Sequence, residues 1–231
     1  MDLTSIQGGG GRRMRILLID HANCDPPHSR AHRLRADLET VRVRAMVCGP
    51  ASVPSLAEQP QGMFAIHLLD TVAASRKLHA AVQSGAAQPF LTAVAAVSPR
   101  LLGLVRETAR QGITEAVDAT NPDAIFVIHA GILADLAIET GVPVAVHVAA
   151  GDLVAAATGP VRELVLAALG SCGAVATESA ETAAAVRRDW VDDALLLAES
   201  WGVGPEAASH VVAACRAALQ RRRGNHRSSI S

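Results

Sequence analysis

The chain has no tyrosine, and aromatic residues make up only 2% of its 231 positions. So sparse a set excludes the stacking platforms that grip single-stranded nucleic acid or sugar rings. A surplus of charge is missing too. Lys and Arg total 21 against 22 Asp and Glu, for a formal net charge of -1. This excludes a globally basic nucleic-acid binder, because no excess of cations exists to displace phosphate counterions. Cysteine is scarce: Cys24, Cys48, Cys172 and Cys215 are widely spaced, with no CxxC interval among them. That spacing suggests neither a zinc site nor a disulfide framework, and the four read as small buried thiols of a reducing cytoplasm. No apolar run approaches the roughly 18 residues of a membrane-spanning helix. Residues 1–13 carry four glycines, Gly8 to Gly11, and no apolar core of a signal peptide, so they read as a flexible leader.

Hydrophobic residues are plentiful. They form 50% of the chain, with a mean hydropathy of +0.26, enough for a substantial core. Apolar runs at 15–21, 41–47, 63–69, 124–129, 142–148, 174–177 and 194–198 read as strands. Helical patterns separate them: 30–39, 71–83, a long stretch over 89–119 interrupted at Ser98-Pro99, 132–139, 160–169, 179–188 and a last one from Pro205. Strands alternating with helices predict an α/β fold. The expectation is a single Rossmann-like domain over 14–220, with a mainly parallel sheet of about seven strands and helices on both faces. Residues 221–231 read as a polar tail, with Arg221-Arg222-Arg223 complementing the end of the helix before it.

On such a sheet the ligand crevice lies beyond the carboxyl ends of the strands. The first strand is not followed by GxGxxG, and no GxxxxGK[ST] occurs, which disfavours a standard dinucleotide site and P-loop chemistry. Instead the loop after it carries His21, Asp25 and His28, candidates for ligand contact or simply members of a solvated loop. His129 follows the fourth strand, and Asp152 follows the fifth. A histidine and a carboxylate at neighbouring strand ends can do acid/base or hydroxyl-binding work, so these two are the candidate catalytic pair. Gly131 could let a ligand approach the backbone, and Glu178 stands after the sixth strand as a further candidate ligand contact. His147, inside the fifth strand, reads as a satisfied core histidine. No metal site is suggested, since the carboxylates are scattered and Asp192-Asp193 reads as a turn.

In order along the chain, several segments resemble GT-B glycosyltransferases of the family 4 kind. Met14-Arg-Ile-Leu-Leu-Ile-Asp-His21 with Pro26-Pro27 resembles their opening strand and loop. Pro122-Asp-Ala-Ile-Phe-Val-Ile-His129 and Gly141-Val-Pro-Val-Ala-Val-His147 are similar to two later strands, and Gly173-Ala-Val-Ala-Thr-Glu-Ser179 to a third. Gly202-Val-Gly-Pro-Glu206 resembles the hinge where the N-terminal domain ends. The chain departs from the family pattern at Ser29-Arg30-Ala31-His32, where two glycines are usual, and at Ala149-Ala150, near the usual His-Gly.

The resemblance implies an acceptor-side N-terminal domain without the C-terminal nucleotide-sugar domain. Glu199 and Glu206 do not reproduce that second domain's paired glutamates. It further implies a small-molecule acceptor, no covalently bound cofactor, and a nucleotide sugar as co-substrate on a partner domain. The partner would be a protein bearing that domain, or a second copy in a homo-oligomer. Two alternatives stay open: a non-catalytic accessory protein that stabilises a glycosyltransferase, and an unrelated Rossmann-like binder of a small ligand.

Overall fold

The computed structural model describes residues 12–22, 30–51, 62–157, 159–191, 196–198 and 205–228. The strands are β1 (Arg15–Ile19), β2 (Arg44–Pro50), β3 (Met63–Ile66), β4 (Ala124–Val127), β5 (Val144–Val148), β6 (Ala174–Thr177) and β7 (Leu196–Ala198). The helices are α1 (Arg30–Thr40), α2 (Leu69–Val72), α3 (Arg76–Ser84), α4 (Ala87–Ala95), α5 (Pro99–Thr120), α6 (Ala134–Glu139), α7 (Ala150–Ala155), α8 (Pro160–Ser171), α9 (Ala180–Asp189) and α10 (Pro205–Ser228). All strands pair in parallel, in the order β3-β2-β1-β4-β5-β6-β7. Six have four or more residues, and three-residue β7 lies at the edge. The order reverses between β1 and β4, which opens a crevice where their carboxyl ends diverge.

Period-two alternation makes each inner strand serve two cores. Ile16 and Leu18 of β1, with Ala124 and Phe126 of β4, join the core beneath α1 and α10. Leu17, Ile19, Ile125 and Val127 join the larger core on the opposite face, beneath α3, α4, α5, α6 and α8. Both faces being covered explains why these strands read as continuous apolar runs. Gly173 sets the closeness of α10: a Cβ there would lie 2.6 Å from Ala218 Cα.

The helix signals act where the sequence placed them. Ser98 Oγ accepts the Leu101 N–H and Pro99 takes the first helical position, so the long 89–119 stretch becomes α4 and α5. Ser179 Oγ accepts the Thr182 N–H and starts α9. Other boundaries move. Helix 71–83 divides into α2 and α3, with Ser75 capping the second. Strand 41–47 becomes 44–50, because Val41, Arg42 and Val43 turn back onto the Leu38 and Glu39 carbonyls with Arg42 at φ 61°. α7 occupies a stretch that reads as loop, and α10 continues to Ser228, past residue 221 where a tail was expected.

Candidate functional site

Asp20, His21, His129 and Asp152 converge at the topological reversal. Asp20 directly follows β1, and its N–H donates to Cys48 O of β2 at 3.0 Å. His129 stands two residues past β4, after Ile128, whose N–H donates to Ile19 O at 2.8 Å. Asp152 is the third residue of α7, which leaves the end of β5. Because β1, β4 and β5 are neighbours in the sheet, residues far apart in sequence meet above one edge of it.

The Asp152 carboxylate is fully buried and fully used. Its Oδ1 lies 3.0 Å from His129 Nδ1, and its Oδ2 accepts the Ala130 N–H at 3.1 Å and the Ala149 N–H at 3.0 Å. The carboxylate therefore selects the tautomer in which Nδ1 carries a proton and Nε2 is the basic nitrogen. That Nε2 lies 3.9 Å from Asp20 Oδ1, so the imidazole stands between two carboxylates. Burial disfavours the imidazolium, but the Asp152 hydrogen bond and the charges of Asp152 and Asp20 outweigh it and raise the His129 pKa. The side chain retains 13% exposure, enough for Nε2 chemistry at the crevice.

Asp20 falls among the residues after the first strand where the sequence places a ligand crevice, but it is not singled out there as a site residue. Its Oδ1 accepts the Ala22 N–H at 2.9 Å, and its buried Oδ2 has no hydrogen-bond partner among the described residues. Burial raises its pKa, opposed by the charge of His129. The only sequence signal was its place at the end of the first strand.

His21 is buried rather than displayed. Its Nε2 accepts the Leu133 N–H at 3.0 Å, so the ring proton sits on Nδ1, a buried donor with no partner among the described residues. Burial, aided by the charge of His129, holds its pKa well below the ordinary value. Its ring meets that of His129 edge-on, with centroids 6.4 Å apart. Gly131 makes room for this arrangement: a Cβ there would sit 2.6 Å from His21 Nε2 and would also strike Leu91 Cδ2. The absence of a side chain at 131 thus serves the His21 ring.

Glu178 joins the same rim. Its Oε1 accepts the Ala150 N–H at 2.6 Å and so places a carboxylate at the start of α7. His147 is a core histidine, with Nδ1 donating to Ile128 O at 3.0 Å, and burial lowers its pKa to about 4. Asp25, His28 and the hinge-like turn at 199–204 lie outside the described residues. Among the described residues no group of three or more His, Cys, Asp or Glu could hold a metal ion.

No protein-family model matches the sequence, and no curated protein matches it. Solved structures do. A sucrose-phosphate synthase chain from Thermosynechococcus elongatus superposes with a TM-score of 0.52 at 12% identity, over 88% of this chain and 98% of that one. A longer chain of sucrose-phosphate synthase from the same organism gives 0.54 at 11% identity, over 80% of this chain and 47% of that one. This protein thus spans about half the length of the longer chain. Both neighbours are GT-B glycosyltransferases, and the α/β architecture described above is GT-B-like.

Proposed function

We propose that this protein is the acceptor-side lobe of a glycosyltransferase whose nucleotide sugar is held on a second lobe carried by a partner polypeptide. The observation that carries the reading is the His129–Asp152 pair at the sheet reversal, with Nδ1 held by the carboxylate and Nε2 left as the base. In the proposed reaction an acceptor hydroxyl oxygen bonds to the anomeric carbon of the donor sugar. The hydroxyl proton passes to His129 Nε2 as the bond to the nucleoside diphosphate breaks. Asp152 orients the ring and stabilises the resulting imidazolium, and Asp20 adds negative charge near the nitrogen that gains the proton. The GT-B-like fold supports the reading, and so does the match to about half of the longer sucrose-phosphate synthase chain.

A non-catalytic accessory role is the second reading. Asp152 also ties Ala130 and Ala149 together, so the same residue would be needed merely to shape two loops. The two are separated by mixing the purified chain with nucleotide sugar and candidate partners bearing a nucleotide-sugar lobe, then following sugar transfer. His129→Gln abolishes most of a reconstituted activity on the catalytic reading and leaves it unchanged on the accessory one.

A further inference from the structure

A second candidate site lies at the opposite end of the sheet. Arg12, Arg13, Arg15 and Arg44 line a cavity of 630 Å³ at the amino ends of β1 and β2, together with Glu39 and Val43. Its charges do not balance. Asp123 is shared between Arg12 at 3.0 Å and Arg15 at 3.8 Å, and Glu39 is engaged by Arg35 at 3.3 Å. With Glu39 already paired to Arg35, the four lining arginines meet only Asp123 among the described residues, leaving three positive charges without an acidic counterpart among them. Arg13 and Arg44 have no acidic partner among the described residues, and the buried Arg15 Nε has no hydrogen-bond partner among them.

We propose that this cavity binds a phosphate-bearing small molecule of two or three negative charges. Guanidinium forks match phosphate oxygens in pairs, and crowded like charges favour an anion that settles among them. The volume falls within the range of small-ligand sites. The five residues of β1 separate this cavity from the crevice that holds His129, about 15 Å of strand at roughly 3.3 Å per residue. The site is thus independent of the proposed glycosyl transfer and stands or falls apart from it.

Inorganic pyrophosphate is the probe, titrated calorimetrically into the full chain at low ionic strength. The expected result is a single saturable site, weakened about tenfold or more by Arg13→Glu and by Arg44→Glu, and unchanged by His129→Gln. Both arginines are exposed, and a thermal melt confirms that each variant folds. Arg13 precedes β1 and lies in no helix or strand, so its variant tests the site without disturbing the sheet. Parallel sedimentation with phosphatidylserine vesicles distinguishes a lipid headgroup as the source of the phosphate. No pyrophosphate binding at millimolar concentration, binding indifferent to both variants, or binding to vesicles alone would overturn the proposal.

Discussion

His129 Nδ1 and Asp152 Oδ1 stand 3.0 Å apart, joined across the ends of β4 and β5 although 23 residues separate them in sequence. The contact fixes which imidazole nitrogen is basic, and the crevice at the strand reversal determines what that nitrogen can meet. Replacing His129 by Gln keeps a polar group of similar reach but removes the base. Transfer in a partner-completed system is expected to fall by about 10²–10⁴-fold, the usual contribution of general-base catalysis. Initial rates, with a thermal melt as a folding control, check this.

Asp152→Ala removes the acceptor for the Ala130 and Ala149 N–H groups as well as the partner of His129. Leaving buried donors unpaired is expected to lower stability by about 3 kcal/mol. Urea unfolding measures it; a loss below about 0.5 kcal/mol would show that Asp152 does not hold these loops together.

Asp20→Asn keeps the acceptor for the Ala22 N–H and removes only the charge facing His129 Nε2. The His129 titration midpoint, followed by NMR of the ring Cε1 proton, should move down. A midpoint that stays in place would show that Asp20 does not act on His129.

Acid should weaken the fold through His21 and His147. Both have folded-state pKa values below the ordinary 6.5, so their protonated forms favour the unfolded chain. Their stabilising contribution is present above pH 6.5 and is lost as pH falls toward about 4, the value for His147. His147 alone accounts for roughly 3 kcal/mol over that window, and His21 acts in the same direction. Denaturant midpoints taken at pH 7 and pH 4.5 test the sign.

Gly131→Ala places a methyl group against His21 Nε2 and Leu91. Displacing the His21 ring also breaks its bond to the Leu133 N–H. The expected cost is about 1–3 kcal/mol. Gly103→Ala, inside α5 where a Cβ meets nothing within 4 Å, is the control in the same unfolding assay and should stabilise by up to about 1 kcal/mol.

Much of the architecture was legible in the residues. Continuous apolar runs such as Ala174–Thr177 mark strands buried on both faces, and Ser98-Pro99, Gly159-Pro160 and Ser179 mark helix starts through caps and fixed φ angles. α7 was hidden because Ala150-Gly151-Asp152 carries a poor helix former at its second position; the Glu178 carboxylate at its first N–H comes from a distant segment. The true start of β2 depends on the positive φ of Arg42, a conformation that an arginine does not advertise. In the site, His129 and Asp152 could be paired from their places after adjacent strands. Asp20 joins them only because β1 and β4 are neighbours, a fact of strand order rather than of spacing. His21 looked like a loop residue, but the gap at Gly131 draws its ring inside.

The most direct test of the central claim is sugar transfer by this chain with a nucleotide-sugar-bearing partner, measured against pH for the native protein and for Asp20→Asn. The account predicts no transfer by either component alone. With both present, it predicts a rate that rises with pH as His129 loses its proton, and an ascending limb that lies at lower pH in the variant. Turnover by the isolated chain, or a limb that does not move in the variant, would contradict it.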